Sequence, residues 1–389
     1  MPARIEAIIN YELLIWARKS AGLDIYSVAT KTYLKPEKIE EWEKGLSRPS
    51  IPQLSKLAAA YKRPISVFFL PEPPKKFDAI RDFRKLPMYH PPQKSPELLY
   101  EIRRAHQRRE VALDLSGPRR LSMHIQQTVN PIEVSEKIRK YLGFTIARQI
   151  KLRNKRLAFN EWKAAIEVKG VLVFQTSTVE LDEMRGMSIG KNPFPAIVLN
   201  GKDSYAGRSF TLLHEFTHIL LGGNGLCNLE ASTSHSTGKM EIFCNEVAGN
   251  VLVPFNDISR ESFIEKNRDT LEWPDEDIRS LEKKYSVSQE VILRRLLTIK
   301  AISSEFYVRK REELQDLYEK QIEEELRKRR ESKSFVPNHI IVARNNGESY
   351  TRLILSAYYN NKITLNDVSD YLEVKLKNLG KIENIVFAR

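Results

Sequence analysis

Along most of this chain the apolar positions recur every three or four residues, the spacing of helices with one buried face. From Tyr11 to Ser20, Leu13, Leu14 and Ala17 follow it, and Gly22 breaks the run. Asp24 is placed to cap a second helix through Ser27, Val28, Ala29 and Thr30. Tyr33-Leu34-Lys35-Pro36 reads as a turn with Pro36 at a first helical position. A third helix, Glu37–Lys44, stops at Gly45; a fourth opens at Ser50-Ile51-Pro52, and Pro64 to Leu70 predicts a fifth. Pro71-Glu72-Pro73-Pro74-Lys75-Lys76 is a linker signal, and Phe77–Pro92, with Asp82-Phe83-Arg84 inside it, reads as irregular. Pro96 to Leu115 predicts a helix whose Arg103, Arg104, Arg108 and Arg109 read as a solvated face, with nucleic-acid contact as the alternative. Pro131–Leu142 and Glu161–Lys169 predict two more.

The pattern changes at Gly170. Gly170–Gln175 and Ala196–Asn200 are short unbroken apolar runs, the signature of buried strands, with Met184–Ile189 between them. Phe210, Leu212, Leu213, Phe216, Ile219, Leu220 and Leu221 then describe a buried helix stopped by Gly222-Gly223. Met240–Pro254 reads as another helix, Ile278–Ile302 as helix, turn and helix, and Glu305–Arg330 as one long charged, solvated helix. The tail from Phe335 turns apolar again, with helices at Tyr350–Tyr358 and Leu365–Tyr371, the second capped by Thr364. No internal repeat or low-complexity tract is visible. The expected fold is α+β and mostly helical, and its N-terminal domain has five helices. The expected divisions are 1–70, a linker and basic helix over 71–130, a central domain with a small sheet over 131–303, a charged helix over 304–334 and a small helical unit over 335–389.

Composition narrows the compartment and the partners. The 389 residues carry a net charge of +13, which suits an anionic partner such as nucleic acid and equally serves solubility. Two cysteines, Cys227 and Cys244, make no disulfide framework and point to a reducing cytoplasm. Charges at Arg4, Glu6, Glu12, Arg18 and Lys19 interrupt any signal-peptide core, and no apolar run is long enough to span a membrane.

Candidate chemistry is concentrated at His214-Glu215-Phe216-Thr217-His218. Histidines at i and i+4 lie one above the other on a helix face and can bind one zinc ion between them. Glu215 follows the first ligand directly and is placed to act as a general base on water at the metal. A catalytic zinc needs a third protein ligand. The metzincin pattern would need Gly at 221 and His at 224, where Leu221 and Asn224 stand. On the following helix Glu241, Asn245 and Ala248 share one face, so Glu241 is a candidate ligand and Asn245 a candidate partner that supports a ligand. His235, in the loop Ser232–Thr237, is the rival. Glu246 lies about 140° round the helix from Glu241, so both cannot face one ion.

These residues carry a resemblance. Arg208-x-Phe-Thr-Leu-Leu-His-Glu-Phe-Thr-His, then Glu241-x-x-Cys244-Asn245 and Leu252-Val253-Pro254, is similar to the ImmA/IrrE family of zinc metallopeptidases. The family usually has Ala where Cys244 stands. The resemblance covers roughly Ile166 to Leu297 and implies a zincin-like domain. It implies zinc ligands at His214, His218 and Glu241, and a catalytic acid/base at Glu215. The N-terminal segment resembles the Xre (Cro/cI-like) helix-turn-helix through Ala17-Arg18, Gly22-Leu23, Val28-Ala29, Ile39-x-x-Trp42-Glu43-x-Gly45, Arg48-Pro49-Ser50 and Leu54-x-x-Leu57-Ala58. That implies double-stranded DNA as a partner. Glu37, Glu40, Glu41 and Glu43 in the reading helix oppose phosphate contact, and the nearby donors are Lys31, Thr32, Tyr33, Lys35, Lys38 and Arg48. The other reading of that helix is packing or homodimer contact.

Together these expectations describe a cytoplasmic zinc endopeptidase. It would cleave a regulatory protein, such as a repressor, in a phage, mobile-element or stress response, as relatives in the family do. The alternative from another class is a DNA-binding regulator or antitoxin whose zinc is structural; Glu215 argues against it, since a structural site needs no general base.

Overall fold

The computed structural model describes residues 6–74, 94–127, 129–190, 193–222, 225–227, 235–267, 270, 272–331 and 336–387. The stretch expected to be irregular, Phe77–Pro92, and the end of the linker before it lie outside the described residues. Contacts divide the chain into two compact units, Met1–His106 and Gln107–Arg389.

In the first unit, α1 (Tyr11–Ser20), α2 (Ile25–Thr32), α3 (Pro36–Glu43) and α4 (Ile51–Tyr61) are the expected helices. Their starts follow from local chemistry. Asn10 accepts from the Glu12 N–H, Asp24 accepts from the Ser27 N–H, and Pro36 opens α3. The expected fifth helix is a single 3₁₀ turn, Ile65–Phe69, which Phe68 anchors in the core. Leu13, Leu14, Val28, Ile39, Trp42, Leu54, Leu57 and Tyr61 fill that core. Arg18 donates twice to the Glu43 carboxylate at 2.7 Å, tying α1 to the end of α3. Glu43, counted among the acids of the reading helix, is therefore turned inward.

The helix α5 (Pro96–Ser116) is not a solvated basic face. In the first unit Arg103 donates to the Ser20 carbonyl. In the second unit Arg109 donates to the carbonyls of Pro193 and Phe194 at 2.6 and 2.7 Å. Arg108 is buried over the ring of Phe174. Long basic side chains here bury their stems and use the charge as a hydrogen-bond donor.

In the second unit α6 (Pro131–Leu142), α7 (Ile146–Leu152) and α8 (Lys155–Val168) precede the sheet. The strands β1 (Leu172–Thr176), β2 (Gly186–Ile189) and β3 (Ala196–Asn200) come next, then α9 (Tyr205–Leu220), β4 (Gly225–Cys227) and α10 (His235–Leu252). The sheet order is β1-β3-β2-β4, with β1 parallel to β3 and β2 antiparallel to both β3 and β4. All residues of β1, β2 and β3 are buried, which explains their unalternating apolar sequences. The helix α9 packs on β2, β3, α8 and α10, and one core joins Phe159, Trp162, Ile197, Leu212, Phe216, Val247, Val251 and Ile292.

The remaining helices are α11 (Phe255–Ile258), α12 (Ser262–Lys266), α13 (Asp275–Tyr285), α14 (Gln289–Thr298), α15 (Ser304–Glu331), α16 (Asn338–Asn346), α17 (Glu348–Tyr359), α18 (Leu365–Leu372) and α19 (Leu379–Phe387). The helix α16 packs along β1, where Gln175 donates to the Arg344 carbonyl. Gly347 joins α16 to α17 with φ at 74°, and a Cβ there would lie 2.4 Å from the Val173 carbonyl. Only glycine fits both demands.

Candidate metal centre

The helix α9 is capped by Ser204, which accepts from the Gly207 N–H. It is anchored to β1 through Arg208, which donates to Gln175 at 2.7 Å and lies over the Tyr205 ring. Arg208 is thus a positioning residue for the helix. Two turns on, His214, Glu215 and His218 are buried, with Glu215 at 0% exposure. The helix α10 starts at His235, not at Met240 as its Ser, Thr and Gly residues suggested, and it brings Glu241 to the histidines.

Three side chains converge. His214 Nε2 and His218 Nε2 are 3.1 Å apart. Glu241 places Oε2 at 3.2 Å from His214 Nε2 and Oε1 at 3.2 Å from His218 Nε2. A tetrahedral ion with bonds of about 2.0–2.1 Å has ligand-to-ligand edges of roughly 3.3–3.4 Å, close to the separation of the two nitrogens and to that of each nitrogen from its nearer carboxylate oxygen. Among the described residues they form the cluster able to hold a metal ion. Glu246 is exposed and outside that cluster. Of the two glutamates on α10, the helix thus brings Glu241 to the pair.

The electrostatics suit a cation. Burial opposes charge on His218, yet its hydrogen bonds with Cys244 and Glu241 outweigh that and hold the imidazole at about 10. Burial would raise Glu241, but the two histidines hold its carboxylate well below the ordinary range. Burial pushes the Cys244 thiol up although His218 beside it pulls the other way. Sequence spacing identified the position of Cys244 but not this contact.

Glu215 lies against the sheet. A Cβ on Gly186 of β2 would stand 3.4 Å from its Oε1 and 2.4 Å from Thr211 Cγ2. Gly186 therefore lets β2 approach the carboxylate, a requirement no motif revealed. Asn245 lies one turn beyond Glu241, and its carboxamide oxygen is buried with no hydrogen-bond partner among the described residues. It lines a cavity of about 190 Å³ with Phe210, Ile242, Gly249, Val291 and Arg295.

In the first unit the expected DNA donors are unequal. Thr32 is a correction: it is 3% exposed, and its hydroxyl donates to the Val28 carbonyl, so it offers nothing to a partner. Lys31 pairs with Glu97 at 3.5 Å and Lys38 with Glu41 at 2.6 Å. Tyr33 is 92% exposed, and Lys35 and Arg48 are exposed too.

A helix pair that presents His-Glu-x-x-His against a third carboxylate, in a chain that begins with a helix-turn-helix, defines a peptidase-like class joined to a DNA-binding-type module. The family comparison agrees. Residues 166–297 match the IrrE N-terminal-like domain, a peptidase family, and residues 14–68 match a helix-turn-helix. The chain thus carries an IrrE-like domain and an N-terminal helix-turn-helix, the two domains the resemblances implied, and its α+β, mostly helical fold is the expected one. No curated protein and no solved structure matches it. No helix among the described residues is long and apolar enough to cross a membrane.

Proposed function

We propose that this protein is a zinc-dependent endopeptidase of the cytoplasm that cleaves a regulatory protein, with residues 131–303 as the peptidase and residues 1–70 as a DNA reader. The observation that carries the reading is the convergence of His214, His218 and Glu241 beside a fully buried Glu215. The two imidazoles and the Glu241 carboxylate would hold the ion. Zinc supplies Lewis acidity, polarising a peptide carbonyl and making water more acidic. Glu215 takes the proton of the attacking water and returns it to the leaving amine. Arg208 and Ser204 fix the helix that carries three of the four groups, and Gly186 gives the Glu215 carboxylate its place against β2. Tyr33, Lys35 and Arg48 are the side chains most open to a DNA backbone.

Metal analysis tests the reading. The purified chain should carry about one zinc, as a single site of two histidines and one glutamate requires. His214→Ala should lose nearly all of it. Zinc retained in that variant would contradict the site.

A further inference from the structure

The C-terminal helices repeat the backbone plan of the N-terminal helix-turn-helix, although the two segments share little sequence. The helices α2 and α18 are both eight residues long. Asp24 caps the first by accepting from the Ser27 N–H, and Thr364 caps the second by accepting from the Asp367 N–H. Each helix is preceded by a residue of positive φ, Gly22 at 68° two residues before the cap and Asn361 at 55° three residues before it. Each is ended by a non-glycine residue in the left-handed region, Tyr33 at 56° and Glu373 at 53°. Left-handed non-glycine residues are uncommon, so their recurrence at matched places is informative.

The hydrogen bonds recur in register. Leu34 N–H donates to Ala29, and Val374 N–H to Ser369. Lys38 N–H donates to Lys35, and Asn378 N–H to Lys375. Every one of these pairs is 340 residues apart, as Asp24 and Thr364 are. The buried side chains keep the same register: Val28 with Val368, Thr32 with Leu372, Ile39 with Leu379 and Trp42 with Ile382. The third helix packs on the first in both, α3 on α1 and α19 on α17. One difference is that a 3₁₀ turn, Leu376–Asn378, takes the place of the first turn of α3.

The reading segments differ in charge. Lys35–Lys44 holds three lysines against four glutamates, whereas Lys375–Asn384 holds three lysines, Lys375, Lys377 and Lys381, against Glu383 alone. Those three lysines are exposed and pair with no carboxylate among the described residues, while Glu383 accepts from the Tyr359 hydroxyl. Asn378 and Asn384 add carboxamides, which can read base edges. The acids of the N-terminal copy are thus replaced by donors at Lys377 and Lys381, where a helix-turn-helix meets phosphates and bases.

We infer that residues 348–387 form a second helix-turn-helix that binds double-stranded DNA through Lys375, Lys377, Asn378 and Lys381. This surface is independent of the metal centre. It gives the tail a role in contact with nucleic acid.

The test uses the full chain and a mixed-sequence DNA duplex several helical turns long. Affinity is measured across a salt series for the wild type and for Lys375→Gln/Lys377→Gln/Lys381→Gln. Loss of three phosphate contacts should lower the slope of log affinity against log salt by about 2.7 and weaken binding on the order of tenfold at low salt. An unchanged slope and affinity, or no binding by the wild type at low salt, overturns the inference. A photocrosslinking residue at position 377 gives a second readout that does not depend on the triple variant folding. Transfer to the duplex supports DNA contact; transfer to protein in its place overturns it and assigns this face to a protein partner. Metal content and peptide cleavage read the metal centre separately.

Discussion

Gly186→Ala tests how closely β2 is fitted against the metal-site helix. The added methyl carbon would lie 2.4 Å from Thr211 Cγ2 and 3.3 Å from Glu215 Cγ. Carbon atoms rest at about 3.5–4.0 Å, so strand and helix must separate by roughly 1 Å. Gly186 is not among the glycines of positive φ, so its backbone accepts alanine and the cost is steric. Overpacking of this kind costs about 1–3 kcal/mol, offset by about 0.4–1 kcal/mol from the stiffer unfolded chain. The net loss is then about 1–2 kcal/mol, a drop of a few degrees in Tm for a domain of this size. Thr211 is buried, and Thr211→Ser removes its Cγ2 while keeping the hydroxyl. The double variant should recover much of the loss, because the clash and its relief share one contact. Thermal melts of the four proteins give the coupling directly. Gly186→Ala melting with the wild type, or no recovery with Thr211→Ser, would refute the packing. Once a substrate is in hand, cleavage by Gly186→Ala should fall by more than its stability does, since a shift of about 1 Å at the base can cost on the order of a hundredfold.

Two further outcomes follow from the two units. Glu241→Ala should release zinc to a chelator far more readily than Glu246→Ala, because Glu241 alone of the two lies 3.2 Å from both histidines; the reverse order would show that the ligand set is wrong. In the N-terminal module, Lys35→Gln/Arg48→Gln should reduce the salt slope of DNA binding by about 1.8, at about 0.9 for each phosphate contact. An unchanged slope would favour the packing or homodimer reading of the acidic helix.

Much of the architecture was legible because the signals were local. Caps at Asp24 and Thr364 act through one or two bonds to their own neighbours, so sequence alone locates those helix starts. The apolar run around His214 could only be a buried helix, and the i, i+4 histidines on it could only share a face. What escaped depends on contacts distant in sequence. The short strands β2 and β4 are defined by pairing, which four- and three-residue segments do not announce. The start of α10 runs through Ser236, Thr237 and Gly238, residues of modest helix propensity. Thr32 was counted as a donor because exposure cannot be read from residue type, and the back-bond to Val28 removes it. The repeat between the two ends of the chain is written in backbone angles and burial, and only faintly in residue identity.

The central claim is that Glu215 drives peptide-bond hydrolysis at the His214, His218 and Glu241 site, and it can be tested without knowing the substrate. The wild type and Glu215→Gln are expressed in matched cells, and protein N-termini are compared across the proteome. Glu215→Gln keeps the ligands and the shape of the side chain but removes the proton acceptor. New N-termini in one or a few proteins with the wild type, and none with Glu215→Gln carrying equal zinc, is the predicted result. The same new N-termini from both proteins would contradict it.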